Sequence, residues 1–115
     1  MAEETRSPGK TTIAPDVLLS IARLTTLDVK GVSHMYEQTQ VNEIFQRGHR
    51  SEGVRVMVEN GKVYTDLHVV LDQDVNIRQV SRAIQQEVAR AITEMVGLEV
   101  GEINVHIEDV NFASE

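Results

Sequence analysis

The sequence predicts an α+β domain: a two-layer sandwich of two amphipathic helices on a mainly antiparallel sheet, in the order β-α-β-β-β-α-β. Three observations carry this. Apolar residues alternate on both sides of Asn60-Gly61, and two other stretches repeat apolar residues at three- and four-residue spacing. Each one-sided apolar surface then needs a facing layer, and helices over a sheet satisfy both. A length of 115 residues suits one such core.

Residues 1–9 are polar and end in Ser7-Pro8-Gly9, so the domain is expected over 10–110, between a disordered leading tail and a short tail at 111–115. Thr11-Thr12-Ile13 is β-prone. Pro15 suits a first helical turn and Asp16 favours its dipole, so a helix starts there. Its apolar stripe is expected to be Val17, Leu18, Ile21 and Leu24, with Ala22 beside them. Gly31 ends the pattern, and Val32 to Tyr36 reads as a strand with Val32, His34 and Tyr36 on one face. From Glu37 to Gly53 the chain is polar and irregular. Val41, Ile44 and Phe45 fit a half-turn of helix or an extra strand there, and the segment is read as a loop.

Asn60-Gly61 tolerates the positive φ angles of a two-residue type I′ turn. Setting Glu59 opposite Lys62 then aligns Val58 with Val63, Val56 with Thr65 and Val54 with Leu67 on one face. Met57 with Tyr64 and Arg55 with Asp66 fall on the other, so turn chemistry, alternation and charge select one register. Asn76 followed by Gln79 resembles a capping box. It opens a helix whose stripe is Ile77, Val80, Ile84, Val88, Ala91, Ile92 and Met95, closed by Gly97. Ile103, Val105 and Ile107 then alternate as a strand, expected inside the sheet beside a hairpin strand.

Composition narrows function. The formal net charge is -7, and only two Phe, two Tyr and no Trp are present. Such a chain lacks the basic clusters and stacking rings that bind nucleic acid, so no nucleic-acid partner is expected. No cysteine is present, which removes disulfides and thiolate chemistry. No apolar run approaches the ~20 residues of a spanning helix, so a cytoplasmic protein without direct membrane insertion is expected.

His68, His106 and Asp66 share predicted strands and suggest a metal; a solvated sheet face explains them more simply, and no metal is assigned. Arg47-Gly48-His49-Arg50 offers two guanidiniums around a glycine for phosphate or an acidic partner, or is an ordinary solvated loop. Arg78, Arg82, Gln86 and Arg90 recur at turn spacing as a candidate interaction strip, diluted by Glu87 and Glu94. Arg47, His49, Arg50, Arg78, Arg82, Gln86 and Arg90 are therefore the candidate interaction surface. No catalytic residue is assigned. A Gly-rich phosphate loop, a nucleophile elbow and a His-rich metal motif are all missing, and Ser20, Ser33, Ser51 and Ser81 have no recognisable base.

The run Ile84-Gln85-Gln86-Glu87-Val88, continuing through Ala91-Ile92-Thr93-Glu94-Met95-Val96-Gly97-Leu98 to Val100 and Ile103-Asn104-Val105-His106-Ile107, resembles the C-terminal half of alkaline shock proteins. Gly53-Val54-Arg55-Val56, Asn76-Ile77, Ile13 to Ala22 and Gly31-Val32 follow the family's order, so the resemblance covers roughly Lys10 to Val110. Members often carry a glycine just before the second helix, where this chain reads Gln73-Asp74-Val75. The resemblance implies a non-enzymatic stress-response scaffold in cell-envelope homeostasis. Such a protein has no cofactor, self-associates, and is held at the inner face of the membrane by a small membrane-anchored partner. The alternative is a small-molecule-sensing regulatory domain.

Overall fold

The computed structural model describes residues 9–37 and 48–112. Helix α1 spans Pro15–Leu27, strand β1 Val32–Met35, β2 His49–Ser51, β3 Val54–Glu59 and β4 Lys62–Asp72. Helix α2 follows over Ile77–Ala91, passes into a wider π-turn at Ile92–Val96, and leads to strand β5, Glu99–Asn111.

The hairpin adopts the register that its side chains select, from Val54↔Leu67 to Glu59↔Lys62. Its turn residues take φ of 53° at Asn60 and 76° at Gly61, the pair of positive values that a type I′ turn demands. Asn76 caps α2 by accepting a hydrogen bond from the Gln79 amide at 3.0 Å. Just before it, Asp74 takes a φ of 67°, so this aspartate supplies the left-handed conformation that a glycine would provide.

β4 is the spine of the sheet. β5 pairs with it in parallel over its whole length, from Lys62↔Glu99 to Asp72↔Asn111. The opposite edge is shared: β3 runs antiparallel beside Lys62–Leu67, and β1 runs antiparallel beside Val69–Leu71. His68 marks the changeover, its N–H donating to the Gly53 carbonyl and its carbonyl accepting from the Tyr36 N–H, both at 2.8 Å. Gly53 has a φ of 83°, and a Cβ there would lie 2.7 Å from the Tyr36 carbonyl oxygen. Only glycine fits that junction without strain.

Both helices pack on one face of the sheet. Leu18, Leu19 and Ala22 of α1 and Val80, Ile84, Val88 and Ile92 of the second helical stretch meet Val54, Val56, Val63, Leu67, Val69, Leu71 and Ile103. Two buried threonines differ. Thr26 donates to the Ala22 carbonyl at 2.7 Å, whereas the hydroxyl of the fully buried Thr65 has no hydrogen-bond partner.

Several expectations are corrected. Thr11 to Ile13 forms no strand; Ile13 instead lies half-buried against the core. The segment read as a loop contains β2, which pairs with β3, while residues 38–47 lie outside the described residues. β5 does neighbour a hairpin strand, but at the sheet edge and not inside it. The helical crossover between β4 and β5 returns the chain to the starting end of β4, which makes the pairing parallel. β5 also runs through Asn111, one residue into the expected tail. A register shift between Val32 and His34 turns Met35 towards the core, so alternation through Tyr36 is not kept.

The largest correction concerns α1. Its buried side is Leu18, Leu19, Ala22 and Thr26, and two members of the expected stripe face outward, Val17 at 47% and Leu24 at 57% exposure. α1 therefore carries two apolar stripes, of which the sheet covers one.

Candidate functional site

The helices cover one sheet face and no element among the described residues covers the other, so polar residues can accumulate there. Arg55 on β3, Asp66 and His68 on β4, and Asn104 and His106 on β5 share this face, because Arg55 pairs with Asp66, Asp66 with Asn104 and His68 with His106. Asp66 is the hub. Its carboxylate accepts from Arg55, from Asn104 Nδ2 at 3.2 Å and from His106 Nε2 at 3.1 Å. Burial would raise the Asp66 pKa, but the hydrogen bond from His106, the Arg55 charge and the bond from Asn104 outweigh it and hold the carboxyl below its ordinary value. His68 donates from Nδ1 to Glu108 Oε2 at 2.7 Å, and its ring stacks on His106 with centroids 4.5 Å apart and planes 13° from parallel.

This arrangement argues against a shared metal. Ring lone pairs lie in the imidazole plane, so two near-parallel stacked rings cannot aim nitrogens at one ion about 2.0–2.1 Å away. Arg55 and the two histidine N–H groups already occupy the carboxylates. Among the described residues, no group of three or more His, Asp or Glu is placed to hold a metal.

The predicted interaction residues do not form one surface. Arg47 lies outside the described residues. His49 and Arg50 stand on β2, exposed and half-buried, with Arg50 opposite Arg55. Arg78, Arg82, Gln86 and Arg90 are exposed along α2. β2 lies beyond β3 on one side of β4 and packs beneath α1, whereas α2 packs over β5 on the other side. The two arginine sets therefore sit at opposite ends of the sheet. Arg90 is also engaged within its own helix, 3.6 Å from Glu87 and 3.5 Å from Glu94.

The sequence reading missed a groove between the C-terminal halves of the two helices. Ile21, Leu24, Ala91 and Met95 line it, Asp28, Glu87, Arg90 and Glu94 border it, and it encloses about 590 Å³. Met95, 70% exposed, was expected on the buried stripe of α2. The π-turn at Ile92–Val96 widens the helix there and carries Met95 away from the covered side. A second hollow of about 450 Å³ is lined by Ile13, Leu18, Val56, Val58 and Leu98, among others.

These features define a class: a small α+β sandwich with one bare polar sheet face and an incompletely covered helical layer. Within that class the chain belongs to the alkaline shock protein family, whose model, described as having a cell envelope-related function, matches residues 3–112. It is similar to YqhY of Bacillus subtilis (strain 168), 31% identical over 114 residues, covering 97% of this chain and 84% of that protein. It is also similar to Spy1614 of Streptococcus pyogenes, 24% identical over 111 residues, covering 93% and 92%. Among solved structures, the copper form of the MamM CTD aligns with a TM-score of 0.58 at 13% identity, covering 87% of this chain and 90% of that one. MamM-CTD 215-293 aligns at 0.53 and 12% identity, covering 84% and 99%. At these identities the likeness is one of fold.

Proposed function

We propose that the chain is a non-enzymatic scaffold or adaptor in cell-envelope homeostasis, acting by self-association and by binding a protein partner. The observation that carries this reading is the outward apolar surface of the helical layer, where Val17, Leu24 and Met95 stand 47%, 57% and 70% exposed. Apolar surface grouped in this way and bordered by charge is characteristic of interaction sites. The family's cell envelope-related description supports the biological setting. The acid–base groups of the exposed sheet face bond to one another, Asp66 with His106 and His68 with Glu108, and the hollow that His68 lines holds only about 90 Å³, which supports a binding role over catalysis. No helix among the described residues is long and apolar enough to cross a membrane, in keeping with a cytoplasmic protein held at the inner membrane face by a small membrane-anchored partner.

Light scattering over a range of concentrations tests the self-association, and affinity capture of a small membrane-anchored protein tests the adaptor role. A mass that rises above 12.9 kDa together with specific capture is expected. A strict monomer that captures nothing overturns the reading. The second hollow favours one further reading, a small-molecule sensor, because its lining is largely apolar and it is large enough for a metabolite. Amino acids and nucleotides that leave the melting temperature unchanged would dismiss it.

A further inference from the structure

We propose that the groove between the C-terminal halves of α1 and α2 receives an amphipathic helix of a partner protein, with an apolar stripe flanked by Lys and Arg. The inference rests on the adaptor reading and deepens it by naming the partner's chemistry and its seat.

Shape comes first. α1 offers Val17, Ile21 and Leu24 at i, i+4 and i+7, a spacing that ordinarily marks a buried helix face, and here the described chain covers it only in part, leaving Ile21 half-buried and Val17 and Leu24 exposed. From Ile21 to Asp28 the groove wall is about 11 Å long, two helical turns, which suits anchors at i, i+3 or i+4, and i+7 on an incoming helix. Met95 forms the far lip. Its unbranched thioether adapts to varied apolar partners, and the π-turn that exposes it is a distortion that recurs at functional sites.

Charge then selects the occupant. Three carboxylates, Asp28, Glu87 and Glu94, border the groove against one guanidinium, Arg90, which already bonds to two of them. A second copy of this chain fits poorly. The exposed arginines of α2, Arg78 and Arg82, share their face with Gln86 and have a single exposed apolar neighbour on that helix, Ile77, too little for an apolar stripe beside the positive charge. An anionic membrane surface is repelled by the same carboxylates.

The test titrates the isotope-labelled full chain with a synthetic amphipathic helix of about 18 residues, leucine on its stripe and lysine on its flanks. A matched peptide carries glutamate in place of lysine. Saturable amide shifts confined to residues 21–28 and 87–96 are expected, weakening as salt is raised and missing with the glutamate peptide. Leu24→Gln and Met95→Gln are each expected to weaken binding roughly tenfold while the melting temperature holds, as for an anchor residue. Glu87→Gln with Glu94→Gln is expected to weaken it and flatten its salt dependence. The proposal is overturned by an absence of saturable shifts, by shifts centred on the bare sheet face, or by equal binding of both peptides. It is also overturned if Leu24→Gln or Met95→Gln lowers the mass of the chain alone, since the groove would then be covered by a second copy. Self-association and partner capture that persist in the groove variants would remove the groove and leave the adaptor reading standing. A monomer that captures nothing removes the adaptor reading itself.

Discussion

Two stripes of one helix carry similar side chains and meet different fates. Leu18, Leu19 and Ala22 are buried against the sheet, while Val17 and Leu24, a quarter-turn or more away, stand in solvent. Their chemistry does not separate them. What differs is which stripe the sheet reaches: Leu18, Leu19 and Ala22 join the core with the strands, whereas Leu24 borders an open groove facing Ala91 and Met95. Apolar periodicity therefore reports that a surface requires a cover, and the cover can come from the same chain or from another.

The first stripe should be costly to damage. Leu18→Ala removes a side chain only 3% exposed and is expected to destabilise the fold by about 3 kcal/mol, measured by chemical denaturation, because the surrounding core closes only partly over the void. Gly53→Ala tests the junction that lets β1 and β3 share one edge of β4. Its Cβ would meet the Tyr36 carbonyl at a φ unsuited to other residues, and a loss of about 2 kcal/mol is expected.

The bare sheet face gives a different signature, in pH. Asp66 has a folded pKa below its unfolded value, so the unfolded chain binds more protons between the two. The stability from its contacts is present above the ordinary carboxylate pKa, about 3.9, and is lost as pH falls through the lower folded value. Asp66→Asn should cost about 1–2 kcal/mol at neutral pH and flatten the acid limb of the stability curve. An unchanged acid limb would show that the Arg55 and His106 contacts are not formed in solution. Thr65→Val acts in the opposite direction: it removes a buried hydroxyl without a partner and should stabilise the protein by about 1 kcal/mol, read as a raised melting temperature.

Legibility in the sequence followed how local each cause was. The hairpin register was readable because Asn60-Gly61, face alternation and the Arg55–Asp66 charge pair are contiguous and agree. The cap at Asn76 was readable for the same reason. β2 was hidden because three polar residues, His49, Arg50 and Ser51, form a strand only by pairing with Ser51↔Val54 and His49↔Val56 beside them. The parallel seat of β5 depends on the path of the crossover helix, which no local pattern records. On the sheet face, the closeness of Asp66 to His68 was visible as alternation, while that of His106 follows from the parallel seat of β5. The His68–Glu108 bond was not, because β5 shifts register between Ile107 and Asp109, opposite Val69 and Val70. The groove escaped notice because Val17, Leu24 and Met95 have the residue types of a core, and only their placement shows otherwise.

The central claim is that the outer stripe of α1 serves binding and contributes little to folding, and the chemical-denaturation midpoint of Leu24→Gln tests it most directly. An exposed leucine replaced by a good helix former should leave stability within about 0.5 kcal/mol of the wild type. A loss of about 2 kcal/mol or more, the signature of a core position, would contradict the account.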